Sequence, residues 1–183
     1  MGFEYPHTID NGRGERLTFV ARKRDEKGEY LEVTNEVSPG SGPPMHVHYR
    51  QREGLTVVSG RMGYQILGQE PVFCEVGESA EFESGVPHRF WAEGDETLTC
   101  KGFIRPPDSI EYFLGSIYRL VRESKDGRPD SFGSAYLLHR YRNEFGVNDI
   151  PQFVQRLIFP VIRRIGVLRG KDRQFADAPP PVA

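Results

Sequence analysis

The sequence predicts a mainly β domain, a barrel or sandwich, over residues 1–108, followed by an α-helical extension over residues 109–183. Three observations predict it. Residues 15–105 read as short β-rich runs broken by turn residues about every 8–12 positions. After Pro106-Pro107 the apolar spacing changes to the helical period of about 3.6. The sign of the charge changes at the same place: residues 1–108 carry 12 Lys and Arg against 18 Asp and Glu, and residues 109–183 carry 12 against 8.

LTFVAR (17–22) and EYLEVTNEV (29–37) flank DEKG, a turn sequence that joins them as a hairpin. LTVVSG, MGYQIL, VFCEV, AEF, HRFWAEG and TLTCKGFI follow as strands. Several alternate apolar with polar residues, which buries one face of each. Pro106-Pro107 ends the β region, because proline locks φ and removes a backbone donor. Ile110, Phe113, Leu114, Ile117 and Val121 then recur at helical spacing, with Asp108 and Glu111 placed like a capping box at the start, so a helix is expected over 109–122. The loop KDGRPD leads to a second helical pattern, SAYLLHRYRNEF (134–145), stopped by Gly146. A third begins at Pro151 and runs through Phe153, Val154, Leu157, Ile158, Val161, Ile162 and Ile165, and Pro160 is expected to kink or split it. The tail FADAPPPVA is expected to be disordered.

The 183 residues suffice for one well-cored domain with an appendage. A net charge of -2 and a pI near 6.2 lack the basic surplus of a general nucleic-acid binder, so no nucleic-acid partner is expected. Cys74 and Cys100 each lie in an apolar run and read as buried thiols of a reducing compartment. No segment holds about 18 uninterrupted apolar residues and MGFEYPHTIDNGRGER has no signal-like apolar core, so neither a transmembrane segment nor a secretory leader is expected, and the location read is the cytoplasm. Residues 151–173 carry five Arg and one Lys against one Asp beside an apolar stripe. Such an element lies on a membrane surface or packs on protein, and packing against the barrel or in a homodimer is the first expectation. A DNA-reading helix is not, because the last helix is too apolar and is interrupted by proline.

The segment that carries chemistry is GSGPPMHVHYRQREGLTVVSG (40–60). On a strand, His46 and His48 project from one face. Glu53 follows five residues later, and His88 lies in another strand-like run, GVPHRFW. Neutral imidazoles with one carboxylate suit a divalent transition metal (Fe, Ni, Mn, Zn or Cu) rather than Ca or Mg. His7 and His139 stand alone and read as ordinary surface or hydrogen-bonded histidines.

This segment resembles the first motif of the cupin superfamily, G-x5-H-x-H-x4-E-x6-G, with Gly40, His46, His48, Glu53 and Gly60 filling every position. The second motif, G-x5-P-x-G-x2-H-x3-N, is met at Gly77, Gly85 and His88 and departs at Glu83 and Ala92. The resemblance covers residues 15–105 and implies a double-stranded β-helix, the jelly-roll barrel, with His46, His48, Glu53 and His88 as metal ligands. It implies that the turn Tyr49 to Arg52 returns the chain to Glu53 and that His88 comes from the opposing hairpin. By strand parity Leu55, Val57 and Phe90 share faces with ligands. Together with Met45, Tyr64, Phe82 and Phe103 they are the expected walls of a small-molecule pocket. Arg61, Arg89, Lys101 and Arg105 are expected on the outer face. The activity implied is metal-dependent chemistry on a small organic molecule, dioxygenase-type oxidation ahead of isomerisation or decarboxylation, with a non-catalytic binding module as the alternative. No catalytic residue beyond the ligands is legible.

Overall fold

The computed structural model describes residues 4–182. Eleven strands form two sheets among the described residues. Strands β1 (His7–Asp10), β2 (Glu15–Asp25), β3 (Gly28–Val37), β5 (Arg52–Ser59), β8 (Ser79–Phe82) and β10 (Leu98–Arg105) make a six-stranded sheet in the order β1-β2-β3-β10-β5-β8. Strands β4 (His46–His48), β6 (Arg61–Ile66), β7 (Val72–Cys74), β9 (His88–Glu93) and β11 (Phe145–Val147) make a five-stranded sheet in the order β11-β4-β9-β6-β7. Every strand pairing is antiparallel. From β3 onward the chain passes repeatedly between the two sheets, as in the expected double-stranded β-helix.

The β2–β3 hairpin turns at the predicted DEKG, where the Lys27 amide donates to Asp25 Oδ1 at 2.8 Å and Gly28 has a φ of 104°. Period-two burial places Leu55, Val57, Leu98, Cys100, Phe82, Phe90 and Met62 between the sheets as one apolar cluster. Both cysteines are free and buried, and burial pushes the Cys100 thiol up to about 12. Arg61, Arg89, Lys101 and Arg105 do face outward, Arg61 pairing with Glu75 at 2.8 Å and Arg105 with Asp25 at 2.6 Å.

The C-terminal part builds a second cluster on the barrel rather than a separate core. Helices α1 (Ile110–Glu123) and α2 (Ser131–Arg140) pack Ile110, Phe113, Leu120, Phe132 and Leu137 onto Leu17, Phe19, Leu31, Val33 and Ile104 of the six-stranded sheet. The predicted capping pair behaves differently. Ser109 holds the N-cap position, Asp108 accepts from Arg50 Nε at 3.0 Å, and Glu111 pairs with Arg22 at 3.3 Å and accepts from the Tyr5 hydroxyl at 2.7 Å. Helix α2 has a true side-chain cap, Asp130, which accepts from the Phe132 and Gly133 amides.

Two expectations for this region change, those for the second helix and the tail, while the third helical pattern is divided at Pro160 as expected. The second helix stops at Arg140, and Phe145–Val147 pairs with β4 as strand β11. The otherwise open edge of β4 offers Phe145 to Val147 a ladder of backbone bonds, and that outweighs their continuation of a helix. The third pattern divides into a π-helical turn, Val154–Ile158, and helix α3, Phe159–Leu168, with Pro160 in the first turn of α3 where its missing amide costs little. The tail is held rather than disordered. Phe175 is buried and stacks on Tyr136 at 4.5 Å, Arg140 donates to the Ala178 and Pro179 carbonyls, and the Val182 amide donates to Glu144 at 3.2 Å.

Candidate metal centre

The local sequence explains how the ligands come together. Alternation along β4 turns His46 and His48 inward, and the register sets His46 of β4 directly opposite His88 of β9. His88 is therefore the neighbour of His46 in the same sheet, not a residue of an opposing hairpin. The residue that crosses from the other sheet is Glu53, at the start of β5, where Ile104 of β10 stands beside it. Gly60 makes the tight turn into β6 with a φ of 73°, and a Cβ there would crowd the Thr97 carbonyl. The departures from the second motif leave the turn intact. The Val86 amide donates to the Glu83 carbonyl at 3.2 Å, and the Gly85 amide donates to the His48 carbonyl at 2.7 Å.

His46, His48, Glu53 and His88 each offer one ligand atom within 4.8 Å of all the others. His88 Nε2 lies 3.2 Å and His48 Nε2 3.8 Å from Glu53 Oε2. The Nδ1 atoms of His46 and His88 each stand 2.9 Å from a backbone carbonyl, of Pro44 and Val86 respectively. At His46 that contact selects the tautomer that donates from Nδ1 and leaves Nε2 as a lone pair turned into the cluster, the second-shell arrangement of metal-bound histidines, whereas His88 has an acceptor at both ring nitrogens, the Val86 carbonyl and Glu53 Oε2. His48 Nδ1 is buried without a hydrogen-bond partner among the described residues. His88 also stacks face to face on Phe82 at 4.0 Å, which fixes its ring plane.

The protonation states suit a cation. Burial, with His48 and His88 nearby, pulls His46 down to about 3, and burial pulls His48 down to about 4, so both are neutral near pH 7. Burial by itself raises the Glu53 carboxyl, but the His88 hydrogen bond and the neighbouring imidazoles outweigh it and bring Glu53 down to about 2. Lone-pair nitrogens around one carboxylate are the chemical form in which this donor set binds metal. The residues fit a divalent transition ion.

A cavity of about 570 Å³ opens from the ligands, with His46, His48 and Glu53 in its lining and His88 behind them. Its walls differ from those expected. Of the predicted pocket residues only Phe90 lines it. Leu55 and Val57 have the predicted parity but, with Phe82, fill the closed side of the barrel as core, with Tyr64 packed against them. Met45 is buried outside the lining. Phe103 points outward, because Ile104 is the residue of β10 that stands beside Glu53, and Arg52 covers the Phe103 ring at 5.9 Å. The open side is closed instead by Phe113, Leu114, Ile117 and Val121 of α1, with Leu17, Val33 and Ile104 facing them from the strands. The signal was present as the apolar stripe of α1, but nothing local said that the stripe faces the metal cavity. His7 and His139 take no part in the cluster. A more polar depression lined by Tyr49, Arg142, Gln155 and Arg156 adjoins the cavity and shares Leu138, Phe145, Val147 and Ile150 with it.

Glu15 lies in the row of Val37, six residues along β3 from the Leu31–Ile104–Glu53 row, roughly 20 Å in the strand direction. There Glu15 accepts from Asn11 Nδ2 at 2.9 Å and from the Tyr118 hydroxyl at 3.3 Å. Burial pushes the Glu15 carboxyl above its ordinary value, against those two hydrogen bonds. A carboxyl raised by folding favours the fold below its unfolded value, 4.5, and that contribution is lost as pH rises through the folded value. Glu15→Gln, neutral at every pH, is therefore expected to gain stability relative to the parent as pH rises from about 4.5 toward neutrality. Urea melts across that range check it, and a pH-independent difference would exclude ionisation of Glu15 as the cause.

Residues 33–101 match the family model described as "Cupin domain". No match was found among curated proteins. Among solved structures, the chain is similar to KdgF from Halomonas sp., with 20% identity over 54% of this chain and 86% of that one and a TM-score of 0.46. It is also similar to Rru_A2000 from Rhodospirillum rubrum, a cupin-2 domain, with 15% identity over 58% and 74% and a TM-score of 0.45. A predicted oxalate decarboxylase from Thermotoga maritima shows 20% identity over 54% and 90% and a TM-score of 0.43. The activities in those names belong to those proteins.

Proposed function

Given that this chain carries a cupin domain, we propose that it performs metal-dependent chemistry on a small, mainly apolar organic molecule, with oxidation by dioxygen as the leading reaction. One observation carries the proposal: three imidazoles and a carboxylate, two of the imidazoles held by backbone carbonyls, converge at one end of a cavity of about 570 Å³. His46, His48, Glu53 and His88 would hold the ion. A bound divalent transition ion supplies Lewis-acid or one-electron chemistry.

The chain's own residues do the rest. Backbone carbonyls of Pro44 and Val86 and the Phe82 ring keep two imidazoles aimed before any ligand arrives, which limits reorganisation on binding. Phe90, Ile104, Phe113, Leu114 and Ile117 exclude water from the space beside His46, His48 and Glu53 and select an apolar body. Asn11, Glu15, Asn35 and Tyr118 supply polar contacts away from the ligands, so an elongated molecule with a polar end matches the lining better than a sugar-like one.

Elemental analysis of protein purified without a histidine tag or added metal tests the reading, followed by oxygen uptake against small phenols, diketones and thiols. Near-stoichiometric iron, nickel, manganese or copper with substrate-dependent oxygen consumption is the expected result. Zinc without oxygen uptake would move the activity to isomerisation or decarboxylation. Absence of any turnover would leave a binding module.

A further inference from the structure

We propose that the outward face of the π-helical turn and α3 docks on an anionic lipid surface. Leu157, Val161, Ile165 and Leu168 recur at helical spacing and are 69%, 55%, 45% and 82% exposed, with Phe153 one turn earlier at 60%. This is a continuous stripe. None of the five residues of the π-helical turn is buried, so the turn displays Leu157 and Ile158 instead of packing them. The opposite face holds the helix in place. Phe159 and Gly166 are buried, and Gly166 lies so close to the Phe132 ring that a Cβ would collide with it. Rotating the helix to hide the stripe would therefore break its packing.

Charge decides which occupant fits. At 100° per residue, Arg164 and Arg169 fall on the two borders of the stripe, and Arg156 is exposed beside the π-helical turn. None of these three has an ion-pair partner among the described residues. An apolar stripe bordered by free guanidinium groups is the pattern of a helix lying in a membrane interface, its arginines reaching back to lipid phosphates. A second copy fits less well. Two-fold pairing of these faces would gather the bordering arginines of both copies around one seam with no acidic group on the stripe to offset them. Head-to-tail pairing on the acidic strand region around Val72 and Val76 would meet a Glu75 already held by Arg61, and such a contact does not close on itself. Anionic headgroups satisfy both parts of the surface together.

The full chain is sedimented with vesicles of phosphatidylcholine alone and of phosphatidylcholine with phosphatidylglycerol. Binding is expected only to the anionic vesicles, and it should weaken between about 0.1 M and about 1 M salt, as the screening length falls from about 10 Å to about 3 Å. Leu157→Glu with Leu168→Glu, and separately Arg164→Glu with Arg169→Glu, should each lower partitioning about ten-fold or more with unchanged circular dichroism. The proposal is overturned if the parent stays in the supernatant with anionic vesicles, or if both double variants bind like the parent. It is equally overturned if light scattering shows self-association that the leucine variant abolishes, since the stripe would then belong to a second copy.

Discussion

With His46 and His48 both replaced by alanine, the protein is expected to purify folded and without stoichiometric metal. Four-ligand zinc sites in small domains bind with about 10–16 kcal/mol. Loss of two of four ligands removes roughly half of that, several orders of magnitude in affinity. The fold should survive because His46 and His48 line a cavity instead of filling the core, and the barrel's apolar cluster contains neither. Glu53 keeps its hydrogen bond from His88 at 3.2 Å, so the carboxylate is not left alone. Elemental analysis and a thermal melt of the metal-free proteins check both halves. Metal content equal to that of the parent would place the site elsewhere in the chain.

The second large effect concerns stability. Glu144 is fully buried, and its carboxyl accepts the Ser109 amide at 3.0 Å and the Val182 amide at 3.2 Å. It thus joins the first residue of the α1 cap to the tail, and its own carbonyl accepts the Tyr49 amide beside the ligand turn at 2.8 Å. Glu144→Ala orphans two amides at about 1–3 kcal/mol each, offset in part because a buried carboxyl no longer has to be desolvated. We expect a net loss of about 2–3 kcal/mol, a fall in Tm of roughly 4–12 °C for a chain of this size. Faster proteolysis of the tail should accompany it. Glu144→Gln, which keeps an acceptor, should lose less. An unchanged Tm and an unchanged tail would show that these two hydrogen bonds contribute nothing to the fold.

The elements most legible in the sequence were those whose signal is local. The hairpin at DEKG, the strand alternation of β5 and β9 and the 3.6 period of α1 each depend on residues within a few positions of one another. Elements whose partners are remote were read less well. SAYLLHRYRNEF has a helical pattern to its end, yet its last residue joins β4, nearly 100 positions earlier in the chain. FADAPPPVA has the composition of a free tail, yet Phe175 finds Tyr136, and Arg140 finds the carbonyls of Ala178 and Pro179. Asp108 and Glu111 have capping spacing, yet Arg50 and Arg22 claim them. Local propensity is a weak prior wherever a distant group offers a stronger bond.

The same division runs through the candidate centre. The sequence by itself determined the candidate donor set, because a cation requires particular donors, and the H-x-H spacing with strand parity sends two of them the same way. Only the tertiary structure decided what faces them. It set Glu53 across from the histidines on the other sheet, packed Leu55, Val57 and Phe82 into core, turned Phe103 outward and laid α1 over the open side. Donor identity is a property of single residues, whereas a cavity is the space left between elements far apart in the chain, and its shape follows from how those elements pack.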